Sequence, residues 1–233
     1  MSEGIDVVTT SLCRPDLLEL TYRTFFGRII GLPKPRIIIN VDPLGHGSAE
    51  ECVKIAKRFS SDICWRCPTT PSFASAVKWC YQQVESDVVL HLEDDWFLKR
   101  SVDYRDWENV LLSEQSAQCV LPMKGFRQNN SLTYSFRPHL CVREKVVIAI
   151  ESNTCNANPE QDLRDHSPTL ESVDYTRAGP RIISDMGRKW SKYHGFKKSD
   201  NPDFWFEFRS KNIIQKLEYE ALMRYWRYSA PRY

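Results

Sequence analysis

Residues 5–98 alternate short apolar runs with amphipathic segments, and this alternation limits the fold more than any other feature of the chain. Ile5–Thr10, Arg36–Val41, Asp62–Trp65 and Val88–Leu92 are rich in β-branched residues and read as strands. The segments between them carry helix signals. Asp16 can cap a helix holding Leu17, Leu18, Tyr22 and Phe25 that ends near Gly31. Ser48 with Glu51 three residues on makes a capping box for a helix running to about Phe59. Ser72 to Val84 places Phe73, Ala76, Val77, Cys80 and Val84 on one side of a third helix. Strand, helix, strand, helix, strand, helix, strand predicts an α/β fold: a mostly parallel sheet with helices on both faces, joined by right-handed crossovers.

The fourth strand ends in three consecutive acids, Glu93, Asp94 and Asp95. Its near-continuous apolar run suits a central strand buried on both faces, and ligands of open α/β sheets bind at the carboxyl ends of such strands. Three adjacent carboxylates repel one another unless a cation sits among them, and hard oxygen ligands suit Mg²⁺ or Mn²⁺. A solvated acidic turn is the competing reading. The loop at Thr10, Ser11 and Arg14, Asp42 after the second strand, and the Pro71–Ser72 loop each follow a predicted strand. All should therefore meet the acids at one sheet edge, as a nucleoside diphosphate requires.

The second half is less regular. Tyr104–Leu112 reads as a helix, Ala117–Met123 and Ser131–Phe136 as strands around a polar turn at 128–131, and Arg143–Ser152 as a helix after Pro138. Residues 153–167 are polar and turn-rich, Arg181–Ser184 is a short strand, and residues 185–194 lead into a charged loop. Residues 212–227 have the pattern of an amphipathic helix.

Composition excludes several classes. A net charge of +2 argues against a dedicated nucleic-acid binder, and 42% hydrophobic residues allow a sizeable core. No run is long and apolar enough to span a bilayer, and the first residues lack the pattern of a secretory signal. The eight cysteines are then expected to be free thiols in a reducing, cytoplasmic setting, or one peripheral to the membrane face. Cys64 and Cys67 have C-x-x-C spacing without a second pair, and read as strand-end thiols rather than a zinc site. With no clear linker or repeat, residues 1–233 read as one domain, 1–98 holding the nucleotide and 99–233 the acceptor and the C-terminal helix.

Residues 7–18 (VVTTSLCRPDLL), Asp42, the helix start at 71–78 (PSFASAVK) and residues 90–96 (LHLEDDW) together resemble the GT-A glycosyltransferases, in their inverting, family-two-like form. The resemblance implies a Rossmann-like α/β/α domain and transfer of a sugar from a UDP- or GDP-sugar, with Mn²⁺ or Mg²⁺ on the diphosphate. Glu93–Asp95 stand where the family has its D-x-D motif. Asp95 then matches the metal-holding acid, Glu93 and Asp94 the acids beside ribose and diphosphate, and Asp42 the acid near the base. Thr10, Ser11, Arg14 and Ser72 match positions that border the nucleoside. Asp162, and after it Glu160, match the acidic helix start that supplies the base, and His194, placed in a loop after Trp190, a further metal ligand. Arg188 and Lys189, in the same late loop, could add positive charge over the donor. The chain departs from the family pattern in having Glu at the first motif position and Asp-Pro-Leu-Gly after the second strand.

A nucleotidyltransferase would share the core but wants a glycine-rich first loop, which Ser11-Leu-Cys-Arg14 is not. A catalytically inactive nucleotide-sugar-binding module is a third reading. The acceptor is left open among a glycan, a lipid-linked glycan and modified DNA, the last as in phage enzymes. The tail at 223–233 interleaves basic and aromatic residues and would serve a phosphate-rich or interfacial partner, or else packs the last helix.

Overall fold

A computed structural model describes residues 4–123, 134–152, 159–167, 170–177, 179–194, 196–197, 207–208 and 213–231. Seven strands form the central sheet: β1 (Gly4–Cys13), β2 (Lys34–Gly45), β3 (Ile63–Arg66), β4 (Val88–Glu93), β5 (Gln118–Val120), β6 (His139–Val142) and β7 (Ser172–Asp174). Their spatial order is β7-β5-β6-β4-β1-β2-β3. The expected parallel ladders β3–β2–β1–β4 are present. β6 alone runs the other way, antiparallel to both β4 and β5.

The pleat sorts side chains onto two faces, and helices cover both. Ile5, Val7, Ile37, Ile39 and Val41 face α1 (Pro15–Arg28), α2 (Ala49–Ala56) and α4 (Tyr104–Ser113). Val8, Ile38 and Val89 face α3 (Phe73–Gln82), α5 (Arg143–Ser152) and α6 (Pro159–His166). This is the three-layer α/β/α arrangement the alternation predicts. A third cluster lies beyond α1, where Leu17 and Leu20 meet Phe97, α7 (Gly187–His194) and α8 (Ile213–Ser229). Arg23 and Arg28 of α1 donate to the carbonyls of Ser229, Ala230 and Pro231, satisfying the orphan acceptors at the end of α8.

One of the two caps expected from sequence forms, and the structure adds another. Ser48 and Glu51 form the reciprocal capping box, and Ser72 caps α3. Asp16 is not a cap: α1 begins at Pro15 on Arg14, with no side-chain cap bond, and Asp16 instead accepts from the Tyr219 hydroxyl at 3.0 Å. Proline at the first helical position needs no N–H, so the helix starts without help. β1 runs on to Cys13, which reduces the expected loop 11–15 to a single residue. β6 is missed by sequence reading because its four residues sit between Pro138 and a stronger helical pattern. Residues 134–136 are not a strand, and the rest of the expected strand 131–136 and turn 128–131 lies outside the described residues. The strand expected at Arg181–Ser184 forms two residues later, at Ile183–Asp185, paired antiparallel with Trp96–Leu98. Residues 185–194 are largely helix α7, not loop, so Arg188, Lys189 and His194 are all helical.

The seven described cysteines are free, Cys64 and Cys67 among them. No helix among the described residues is long and apolar enough to cross a membrane. His91 is buried mid-strand as expected and stacks on His139 at 4.9 Å, with its Nδ1 3.2 Å from the Tyr81 hydroxyl; its Nε2 has no partner among the described residues. Burial holds His91 well below the usual histidine range and lowers His139 to about 4, so both are neutral.

At the opposite edge of the sheet from the acids, buried Asp6 accepts from the Glu85 and Ser86 amides and from Arg36 at 3.3 Å. These bonds fasten the turn that feeds β4. Asp6→Ala should cost about 2–4 kcal/mol, because two amides and a guanidinium lose a buried acceptor. Urea unfolding checks this, and a loss under about 1 kcal/mol would mean that water replaces the carboxylate.

Candidate active site

β4 delivers Glu93 to the carboxyl edge of the sheet, and the chain turns at Asp94 and Asp95 before pairing again at Trp96. The turn is fastened from several sides. The Asp94 amide donates to the Thr10 carbonyl at 3.2 Å, and Thr21 donates to the Asp94 carbonyl at 2.8 Å. The Met186 amide donates to the Asp95 carbonyl at 2.7 Å.

The three acids have different environments. Asp94 is 1% exposed and points inward. Its Oδ2 accepts from Ser11 Oγ at 3.0 Å, Leu12 N at 2.9 Å and Arg14 Nε at 3.1 Å, while Oδ1 pairs with Arg14 Nη2. Four donor atoms on one carboxylate tie the first loop to this turn. Ser11 and Arg14, expected to border the nucleoside, spend their polar groups on it. Arg14 is itself buried, also reaches Asp95 Oδ2 at 3.1 Å, and lies 5.2 Å from the Trp190 ring.

Asp95 and Glu93 carry the unbalanced charge. Burial, with Asp94 and Asp185 adding repulsion and Arg14 opposing, pushes the Asp95 carboxyl up to about 7. Burial first, then Asp95, raises Glu93 well above the carboxylate range, and the charge of Glu160 adds to it. Trp96 Nε1 donates to Glu93 Oε2 at 2.9 Å. Two carboxyl groups so reluctant to ionise side by side are what a bound cation would relieve. Mg²⁺-type ions are held by one or two carboxylates plus substrate phosphates and water, so this all-oxygen pair fits such an ion. Among the described residues no group of three or more His, Cys, Asp or Glu side chains forms a ready-made ligand sphere.

His194, expected as a further ligand, closes α7 and stacks flat on His46, with centroids 4.7 Å apart, and against Trp190. Arg188 pairs with Asp185 at 3.2 Å, an i,i+3 contact within this segment.

Asp42 is 5% exposed and joins β2 to α3: its Oδ1 accepts from Asn40 at 2.8 Å and its Oδ2 from the Ser72 amide at 3.1 Å. Burial raises its pKa. Thr10 is buried beside Glu93 in the β1–β4 register, and its hydroxyl has no partner among the described residues. Glu160 and Asp162 lie in the first turn of α6, two residues and therefore about 200° apart around the helix. Glu160 pairs with Arg164, and its charge is the one felt at Glu93.

Sequence reasoning missed Asp185 and Gly187. Asp185 adds to the charge at Asp95 and accepts from the Arg188 amide at 3.2 Å at the start of α7. A β-carbon on Gly187 would overlap the Asp95 carboxylate, so only glycine lets α7 come this close. An acid two residues before a glycine at a helix start was the available signal.

No family model matches this chain, and no curated protein matches it. Solved structures do. S. aureus TarS (residues 1–349) aligns with a TM-score of 0.55 and 9% identity over 79% of this chain and 61% of its own. The mannosyltransferase PcManGT from Pyrobaculum calidifontis, in complex with GDP-Man and Mn²⁺, aligns with a TM-score of 0.57 and 9% identity over 75% of this chain and 55% of its own. HddC from Yersinia pseudotuberculosis aligns with a TM-score of 0.51 and 12% identity over 78% of this chain and 94% of its own. The chain thus spans less than two thirds of the first two of these neighbours, 61% and 55% of their lengths. At these identities the likeness shows the fold: the chain has the GT-A, Rossmann-like α/β architecture.

Proposed function

We propose that this protein is a glycosyltransferase that moves a sugar from a UDP- or GDP-sugar to an acceptor hydroxyl with inversion, using Mn²⁺ or Mg²⁺. The observation that carries the reading is the Glu93–Asp95 pair at the carboxyl edge of a GT-A sheet, its charge unbalanced and its donors all oxygen. A divalent ion there supplies Lewis-acid neutralisation of the departing diphosphate. Asp95 and Glu93 would hold it, Asp94 and Arg14 keep them in place, and Thr10, Asp42 and Ser72 frame the nucleoside. Residues 1–98 would bind the donor and 99–233 the acceptor within one domain.

Inversion needs a base on the acceptor side. The charge of Glu160 is felt at Glu93, which supports Glu160 beside Asp162 as the base, although Arg164 shares that charge. The two make a clean pair of variants. Glu160→Gln should leave donor binding intact and cut transfer on the order of a hundredfold or more, with Asp162→Asn milder. Full turnover in Glu160→Gln with loss in Asp162→Asn would reverse the assignment.

The direct test is thermal unfolding with UDP- and GDP-sugars, with and without Mn²⁺. A true donor at a hundredfold excess over its Kd adds about 2.7 kcal/mol, a shift of several degrees, and only with the ion present. No shift with any nucleotide sugar would sink the reading. Modified DNA as acceptor draws support from α8: Tyr219, Met223 and Trp226 pack inward while Arg224, Tyr225, Arg227 and Tyr228 face solvent. A steep fall of activity with salt would favour it over a neutral glycan.

A further inference from the structure

Away from the Glu93–Asp95 acids, α3 and the edge strand β3 flank a groove of about 420 Å³ whose polar and aromatic lining is Arg66, Ser72, Ser75, Lys78, Trp79 and Gln82, with Ala74 beside them. Arg66 leaves β3, and the others follow α3 at positions 72, 75, 78, 79 and 82, the spacing of one helical face. That face turns away from the sheet, since the buried Ala76, Val77, Cys80 and Tyr81 lie on the other side of α3, with buried Ala74 at the margin of the groove. The groove meets the donor side at Ser72 and, through the Arg66–Asn40 bond, at Asp42.

Arg66 is held rigidly. Its Nε donates to Asn40 Oδ1 at 2.6 Å, and its Nη2 donates to the Ser75 carbonyl at 2.6 Å and to the Ser75 hydroxyl at 3.1 Å. One face of the guanidinium lies 4.8 Å from the Trp79 ring. Its Nη1 makes no bond to any described residue. Every partner of Arg66 is neutral, and no carboxylate lies within ion-pair distance of Arg66 or Lys78 among the described residues. Asp42 is within Coulombic range of Arg66, but both its oxygens are taken by Asn40 and Ser72. Arg23 and Arg28 likewise bond only to neutral groups, in their case backbone carbonyls, whereas six other arginines differ. Arg14, Arg36, Arg58, Arg164, Arg177 and Arg188 each pair with an acid. A rigid arginine and a lysine sharing a concave groove without a counter-charge lack an anion. An oriented guanidinium with a free edge is suited to phosphate, and the neighbouring hydroxyls and Gln82 can complete the bonds.

We propose that the groove between α3 and β3 is a binding site for a phosphate ester, separate from the donor site, in which Arg66 Nη1 and Lys78 grip the phosphate beside Trp79. The groove has room for more than a bare phosphate ion. This site stands whether or not the donor reading holds.

The test is titration of the whole protein, ¹⁵N-labelled, with glycerol phosphate as a phosphomonoester and dimethyl phosphate as a phosphodiester. The Trp79 indole resonance is identified as the one missing in Trp79→Phe. Saturable movement of that resonance is expected, and Lys78→Glu should weaken binding by about tenfold or more, the effect of losing one charge-assisted contact. Lys78 is exposed and unpaired, so this variant keeps the fold. The better-bound probe shows whether a monoester or a diester is the ligand. No movement of the resonance with either probe, or equal binding in Lys78→Glu, overturns the proposal. So does competition by UDP with Mn²⁺ at the Trp79 resonance, which would make the groove a part of the donor site.

Discussion

Asp95→Ala should abolish both sugar transfer and Mn²⁺-dependent donor binding while leaving a folded protein. Asp95 is the acid of the cluster whose carboxylate is neither turned inward like that of Asp94 nor held by an indole like that of Glu93. Its charged form is disfavoured in the free protein, with a pKa of about 7, so its removal relieves repulsion rather than creating it. Stability should therefore hold or rise slightly, an outcome opposite to that of removing an ordinary buried acid. Activity should fall by on the order of a thousandfold or more, since neutralising the leaving diphosphate is worth several kcal/mol. Calorimetry of Mn²⁺ with UDP, alongside urea unfolding of the same variant, separates the two effects. Retained metal-dependent binding would show that the ion is held elsewhere.

The second large effect concerns Arg14. Arg14→Met leaves Asp94 buried with its charge uncompensated, and breaking such a pair costs about 3–5 kcal/mol. The loss should show as a drop in the urea midpoint without a change in slope. Arg14→Met with Asp94→Leu removes both charges and should recover most of that stability, since a buried ion pair is weakly stabilising against an apolar replacement. Activity should not return, because the first loop and Asp95 lose the bonds that set their positions. If the double variant is as unstable as the single one, the Ser11 hydroxyl and the Leu12 amide, left without the carboxylate they donate to, matter more than the charge.

Much of the architecture was legible because it rests on local rules. Short apolar, β-branched runs, Ser48 and Ser72 at helix starts, and the acids after Leu92 can all be read one segment at a time. What escaped depends on contacts remote in sequence. Asp94 looks like its neighbours Glu93 and Asp95, and only Arg14, 80 residues earlier, decides that it turns inward. Asp185 and Gly187 gain meaning only when Ile183–Asp185 pairs with Trp96–Leu98 and brings α7 onto Asp95. β6 is held in place by ladders on both sides rather than by its own four residues.

The reversal of β6 has a geometric corollary. β5 ends, and β6 begins, at the same sheet edge as Glu93, and the Leu121 amide donates to the Pro138 carbonyl at 2.9 Å across that gap. On the proposed reading, the exit of one strand and the entry of the next both stand on the donor's side of the sheet, so Leu121 and Pro138 are anchored where an acceptor must approach.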